Sequence, residues 1–187
     1  MRILGISGSL RAGSHNTQLL RLAAEELPEG VELELYEDLA AIPPFDQDLV
    51  EVAPDEVEQL KEAVAASDAI LVATPELNGS IPGQLKNALD WVSRPLAANP
   101  LRNKPAVVVG ASTGAFGAVW AQAELRKVLA SIGARVVDAE AAVGHAPTRF
   151  DEDGTLIDED LREQLGEVVD ALAAAITERA ELARTAA

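Results

Sequence analysis

Short aliphatic runs alternate along this chain with longer segments of helical periodicity, and this alternation constrains the fold more than any other feature. The run at residues 69–73 is continuously apolar, as expected of a central strand whose two faces are both covered. The longer segments place apolar residues at intervals of three and four, which predicts helices with one buried face. Strand and helix units that alternate in this way build a parallel sheet.

Five strands and five helices are expected, and the second strand is placed at a sheet edge because it alternates apolar and acidic residues. The predicted strands are residues 2–7, 31–36, 69–73, 105–110 and 134–139, the last being the weakest. The predicted helices are residues 16–27 and 54–67, one that begins at Pro82, one that carries Leu125, Val128, Leu129 and Ile132, and residues 158–182. The result is an α/β fold, a three-layer αβα sandwich. Such sheets bind ligands outside the carboxyl ends of their strands.

Length and charge limit the domain count and the partners. A chain of 187 residues suits one domain, residues 1–187, with disorder expected only at about 183–187. The 31 acidic residues outnumber the 15 basic ones, and the net charge of −16 repels the phosphates of nucleic acids and of an anionic membrane surface. We therefore expect neither nucleic acid nor a membrane as a partner.

The absence of cysteine excludes disulfides, thiolate metal sites and a Cys nucleophile. No apolar stretch has the length of a signal peptide core or of a membrane span. These features lead us to expect a cytoplasmic protein.

The first loop of chemical interest, residues 7–17, is rich in glycine and hydroxyl groups and joins a predicted strand to a predicted helix. Backbone N–H groups at a helix start attract an anion, and Ser9, Ser14, Thr17 and Arg11 add further donors. Together these groups suit a phosphate. The loop has neither a P-loop lysine motif nor a G-x-G-x-x-G fingerprint. An N-capped helix behind a tight turn is the structural alternative.

Two more loops follow the third and fourth predicted strands. Residues 74–83 contain two prolines and two glycines, which hold a defined backbone path along which main-chain groups can face a flat heterocycle. Residues 110–117 are small enough to permit close backbone approach and to form another wall of the same site. Taken alone, residues 74–83 are better explained as a structural turn, and residues 110–117 are weak evidence for a site.

The two histidines do not carry a separate chemistry. His15 and His145 lie in no H-E-x-x-H spacing, and the chain has no G-x-S-x-G elbow. The sequence therefore argues against a metal site and against a Ser-His-Asp hydrolase.

Two motifs carry a resemblance to a known family. Residues 8–16 read Gly-Ser-Leu-Arg-x-x-Ser-x-Asn, and residues 75–94 read Pro-Glu-Leu-Asn-Gly-Ser-Ile-Pro-Gly-Gln-Leu-Lys-Asn-Ala-Leu-Asp-Trp-Val-Ser-Arg. Both closely resemble the NADPH-dependent FMN reductase family. The resemblance implies a flavodoxin-like fold, with a five-stranded parallel sheet in the order 2-1-3-4-5.

The resemblance also implies residue roles, and Leu77 is the one departure because the family usually has Tyr at this position. The FMN phosphate would be bound by Ser9, Arg11, Ser14, Asn16 and Thr17, with His15 beside them. The isoalloxazine ring would be lined by Pro75, Glu76, Leu77, Asn78, Gly79 and Ser80, with Ser112 and Gly114 on the far side.

The implied activity is transfer of hydride from NADPH or NADH through bound FMN to a second small-molecule acceptor, such as a flavin, a quinone, an azo or nitro compound, or a metal oxyanion. FMN carries this chemistry, so no side chain is required as an acid or a base. A homodimer or homotetramer is implied, with Ile81, Trp91 and Val92 supplying apolar interface area. The alternatives are a flavodoxin-type electron carrier without its own NAD(P)H oxidation, and an FMN-free regulatory or scaffold protein.

Overall fold

The computed structural model describes residues 1–151 and 154–185 as a parallel sheet between two layers of helices. The strands are β1 (Arg2–Ser7), β2 (Glu32–Tyr36), β3 (Ala69–Ala73), β4 (Pro105–Ala111), β5 (Arg135–Val136) and β6 (Ala142–Val143). The helices are α1 (His15–Glu25), α2 (Asp55–Ala66), α3 (Gly83–Val92), α4 (Val119–Ser131) and α5 (Glu159–Thr185). Short 3₁₀ turns lie at Asp38–Ala41, Gln47–Val52, Leu96–Ala98 and Ala146–Thr148.

The strand order is β2-β1-β3-β4-β5, with all pairs parallel, which confirms the expected order and places β2 at an edge. Side chains of β3 alternate between the two layers: Ile70 and Val72 pack with α2, α3 and α4, whereas Leu71 packs with α1 and α5. Both faces of β3 are therefore buried, which explains its continuous apolar run.

The sequence prediction is wrong at the sheet edge beside β4, where it places one continuous strand at residues 134–139. The structure has two short strands there, β5 and β6, so the sheet has six strands within the described residues. Val136 and Ala142 are six residues apart, whereas their partners Ala106 and Gly110 on β4 are four apart. The two extra residues between β5 and β6 do not pair with β4, because an insertion of this kind has no partner on the neighbouring strand.

The last helix extends beyond its predicted end. It continues to Thr185, so residues 183–185 are helical, while residues 186–187 of the stretch for which disorder is expected lie outside the described residues.

The strand order also gathers the loops of interest. β1, β3 and β4 are neighbours, so their carboxyl ends meet at one edge of the sheet. Gly8 N donates to Ala73 O at 2.8 Å, and Thr74 N donates to Val109 O at 3.0 Å. The first bond holds the start of the first loop beside the end of β3, and the second holds the start of the second loop beside the end of β4.

Candidate functional site

A cavity of about 560 Å³ opens where the loops after β1, β3 and β4 meet, within the size range of cofactor sites. Nine of the predicted site residues line it: Ser9, Arg11, Ser14, His15, Asn16, Pro75, Glu76, Leu77 and Ser112. Five do not: Thr17, Asn78, Gly79, Ser80 and Gly114. Seven lining residues are absent from the predicted set: Gly8, Leu10, Pro82, Gly83, Gln84, Ala111 and Thr113.

Ser14 caps the helix that begins in the first loop. Its buried Oγ accepts from the backbone N–H groups of Asn16, at 3.2 Å, and Thr17, at 3.4 Å. The capped-helix alternative is therefore correct as a description of Ser14. It does not compete with anion binding, since a well-formed helix start is what points backbone N–H groups towards an anion.

Asn16 connects the first loop to the third. Its Nδ2 donates to Ala111 O at 2.9 Å, and Ala111 N donates to its Oδ1 at 2.9 Å. The side chain is buried, and both of its polar atoms are bonded to the backbone of the last residue of β4. The geometry thus gives this amide a positioning role between the first loop and the third.

Thr17 lies one layer behind the cavity. Its Oγ1 donates to Ser7 Oγ at 2.9 Å, and Ser7 Oγ in turn accepts from Ser9 N at 3.4 Å. The hydroxyl of Thr17 therefore supports the backbone at Ser9, which does line the cavity.

His15 is held at the cavity wall by two contacts. Its ring stacks on Phe150 with centroids 5.1 Å apart, and its Nδ1 lies 2.9 Å from Gln18 Oε1. The ring packs between α1 and the segment before α5, which fixes its orientation towards the cavity.

The second loop is a tight hairpin that presents Leu77. Leu77 and Ser80 exchange backbone hydrogen bonds of 2.9 and 3.1 Å, and Asn78 and Gly79 between them have φ of 53° and 76°. Two positive φ values in a two-residue turn are the type I′ pattern, for which Asn-Gly is the preferred pair. Asn78, Gly79 and Ser80 thus form the turn and do not line the cavity, whereas Leu77 does and is 56% exposed.

Glu76 connects the second loop to α4. Its Oε2 accepts from Ala121 N, in the first turn of that helix, at 3.3 Å. Ala118, the residue before the helix, has φ of 62° and no side-chain cap of its own. The carboxylate of Glu76 therefore supplies the acceptor and the negative charge that a helix start favours.

The third loop rests on β6, which the sequence prediction did not contain. Ser112 N donates to Val143 O at 3.0 Å, and His145 N donates to Gly114 O at 2.8 Å. A Cβ on Gly144 would lie 2.1 Å from Ala115 O, so the two segments approach too closely for any side chain there. The same packing turns Gly114 away from the cavity and leaves Ser112 on its wall.

Gln84 extends the cavity wall towards α3 and the segment after β2. Its Nε2 donates to Leu39 O at 2.7 Å and to Ile42 O at 2.8 Å. Asn87, one turn further along, donates to Pro43 O at 2.8 Å. These amides fasten the 39–43 segment to α3, and single-sequence patterns carry no signal for such a long-range contact.

The interface residues expected from the sequence are wrong. Ile81, Trp91 and Val92 are 8%, 0% and 2% exposed within this one chain. The indole Nε1 of Trp91 donates to Pro43 O at 2.9 Å, and its ring packs edge-on against Phe45. Their periodicity reflects burial in the core of the subunit.

The comparison with protein families decides the class. The model of the NADPH-dependent FMN reductase family matches residues 1–148. This chain belongs to that family. The family assignment confirms the predicted class of oxidoreductase, with FMN as the cofactor and NADPH or NADH as the hydride donor.

Individual relatives align with this chain over almost their whole length. The NAD(P)H-dependent FMN reductase of Pseudomonas aeruginosa is 41% identical over 92% of this chain and 93% of that protein. The 2-hydroxy-1,4-benzoquinone reductase of a Burkholderia species is 35% identical over 96% and 98%. The solved structure of FerB, a flavoenzyme NAD(P)H:(acceptor) oxidoreductase from Paracoccus denitrificans, superposes with a TM-score of 0.86, 35% identity, and 95% and 97% coverage.

Neither a membrane-spanning helix nor a metal-binding cluster is found in the part of the chain that the structure describes. Within residues 1–151 and 154–185, no helix is both long and apolar enough to cross a membrane. Among those same residues, no three His, Asp or Glu side chains are grouped so as to hold a metal ion.

Proposed function

We propose that this protein oxidises NADPH or NADH and reduces a small flat acceptor, of the quinone class, in the cleft formed by the three loops. The observation that carries the proposal is the 560 Å³ cavity itself, which has a helix start and Arg11 at one end and apolar side chains at the other. A cavity with a cationic end and an apolar end matches a flat ring that carries a phosphate on a flexible chain.

The phosphate end is built by α1 and its preceding loop. Ser14 and Asn16 fix the first turn of the helix, while Ser9 and Arg11 face the cavity. In a chain of net charge −16, a cation at this position attracts and orients the phosphate of FMN.

The ring end is built by the second and third loops. Pro75, Leu77 and Pro82 supply apolar walls on one side, and Ala111 and Ser112 supply the other. Leu77 stands at the mouth and excludes water from part of the ring's surface. Asn78, Gly79 and Ser80 act through the turn that holds Leu77 in this place.

FMN, when bound, accepts hydride from NAD(P)H and passes electrons to the acceptor. The chain's own residues would hold the cofactor and shape the space that donor and acceptor enter in turn. Neither step requires a side-chain acid or base.

The proposal extends to the protein's oligomeric state and its location in the cell. The protein works in the cytoplasm as a homodimer or homotetramer. Leu77, Phe116 and Trp120 are more than half exposed near the cavity, and they offer the apolar area that an interface needs in place of the buried Trp91.

Steady-state turnover separates this function from that of an electron carrier. Purified protein loaded with FMN is mixed with NADPH, with and without 1,4-benzoquinone, and NADPH consumption is followed by its absorbance. We expect quinone-dependent turnover without any partner protein. Negligible turnover, with FMN still bound, would contradict the proposal and favour a flavodoxin-type carrier.

A further inference from the structure

A second, smaller cavity of about 230 Å³ adjoins the main one. Ser9, Leu10 and Arg11 line both cavities, so the two share a wall. A ligand in the main cavity therefore has only to pass these three residues to reach the smaller one.

The small cavity is lined by cationic side chains that pair with no other described residue. Among the described residues, only three cationic side chains have neither a hydrogen bond nor an ion pair to the protein: Arg11, Arg21 and Lys127. Two of the three, Arg11 and Arg21, line this cavity, but Arg11 also lines the main cavity, where it is assigned to the FMN phosphate. Arg21 is therefore the cation left for a second ligand, and in a chain with 31 acidic and 15 basic residues an unpaired guanidinium group in a cavity favours an anionic group.

The remaining lining adds an apolar floor and a hydroxyl. Leu35 and Leu39 contribute apolar surface, and Thr17 lies on the same face of α1 as Arg21, one turn earlier. Apolar surface beside the guanidinium group of Arg21 suits a nucleoside that carries a phosphate. At about 230 Å³ the cavity is too small for a whole cofactor and suits one part of a ligand whose remainder lies elsewhere.

We propose that the small cavity binds the 2′-phosphate of NADPH, and that Arg21 makes this protein prefer NADPH to NADH. The inference rests on the proposed function, since the nicotinamide has to lie in the main cavity while the adenosine end crosses residues 9–11. Arg21 lines only the small cavity, which separates its role from that of Arg11 beside the FMN phosphate.

Glu37 also lines the small cavity, and we expect its removal to change the NADPH/NADH preference in the direction opposite to removal of Arg21. It is the acidic residue of the lining, at the end of β2. Its carboxylate repels a phosphate dianion, so removal of its charge favours NADPH, whereas removal of the Arg21 charge disfavours NADPH.

The experiment measures kcat/KM for NADPH and for NADH in wild type, Arg21→Gln, Glu37→Gln and Lys127→Gln. We expect the NADPH/NADH ratio to fall about tenfold in Arg21→Gln, through KM rather than kcat, and to rise about twofold in Glu37→Gln. Lys127→Gln is the matched control, since it removes an equally unpaired cation outside the cavity, and it leaves the ratio unchanged. A ratio within twofold of wild type in Arg21→Gln would overturn the proposal.

Binding measurements on the FMN-loaded protein separate the possible sources of the phosphate. Titration calorimetry compares adenosine 2′,5′-bisphosphate, adenosine 5′-monophosphate and inorganic phosphate. We expect the bisphosphate alone to bind with an affinity that Arg21→Gln lowers about tenfold. Equal binding of inorganic phosphate would identify a free-anion site and overturn the assignment to NADPH. If wild type binds the bisphosphate but oxidises neither nicotinamide, the proposed function fails while the cavity's ligand stands.

Discussion

Asn16 and Ala111, 95 residues apart, exchange two hydrogen bonds of 2.9 Å, one in each direction. Through this pair the start of α1 is held at a set distance from the end of β4. One buried amide therefore links the first loop directly to the third.

Asn16→Ala tests this coupling. It leaves the buried N–H and C=O of Ala111 without partners, and we expect the free energy of unfolding to fall by about 1–3 kcal/mol. FMN binding weakens as well, because the two loops lose their fixed spacing. Urea unfolding of the apoprotein and FMN titration measure the two effects. Unchanged FMN affinity would show that the loops keep their positions without the amide.

Arg11→Ala tests the phosphate end. We expect FMN to bind more weakly by about 1.5–3 kcal/mol, the scale of a hydrogen bond to a charged group, with riboflavin affinity unchanged because riboflavin has no phosphate. Fluorescence titration of both flavins gives the dissociation constants. Lys127→Ala serves as the control for a simple change of net charge. An equal loss for both flavins would remove Arg11 from the phosphate site.

Leu77→Tyr tests the mouth of the cleft. Tyr adds an aromatic face worth roughly 0.5–1.5 kcal/mol, so we expect FMN affinity to rise by no more than about tenfold. The ratio of kcat/KM for a quinone to that for free FMN changes, because Leu77 forms the exposed wall that the acceptor meets. Identical acceptor ratios in both proteins would place Leu77 outside the acceptor's path.

Lys104 makes the free energy of unfolding depend on pH. It lies at the end of the sheet opposite the main cavity. Its side chain is 3% exposed, and its ammonium donates to Ser67 O. Burial first, and then the charge of Arg179, lower the pKa of Lys104 from 10.5 to about 8, while Asp68 opposes the shift. Between these two pKa values the unfolded chain binds more protons than the folded chain. The contribution of Lys104 to the free energy of unfolding therefore rises with pH across this window.

Lys104→Met removes that slope. We expect the difference in free energy of unfolding, variant minus wild type, to become smaller as pH rises from about 7.5 to 9.5, by up to about 2 kcal/mol. The difference isolates Lys104, because all other groups titrate in both proteins. Urea unfolding at several pH values measures it. Parallel pH profiles would contradict the lowered pKa.

Local patterns in the sequence predicted β1 and β3 with correct bounds, and β3 is apolar throughout because it is buried on both faces. The Asn78-Gly79 turn also had a local signal, because this pair prefers the positive φ values that a two-residue hairpin needs. The helix cap at Ser14 likewise depends on residues within one turn.

The features that the sequence prediction missed depend on residues far apart in the chain. Gln84 reaches Leu39 O across 45 residues, and the split between β5 and β6 depends on how the chain returns to β4. Trp91 shows the same limit, because the pattern around it is that of a buried helix face and says nothing of whether the cover comes from this subunit or another. Only the folded structure shows that Pro43 and Phe45 provide that cover.

Anaerobic half-reactions test the central claim most directly. Purified protein loaded with FMN is titrated with NADPH, and then with 1,4-benzoquinone, while its visible spectrum is recorded. The account predicts that NADPH bleaches the flavin absorbance and that quinone restores it, with no other protein present. A flavin spectrum that NADPH and NADH both leave unchanged would contradict it.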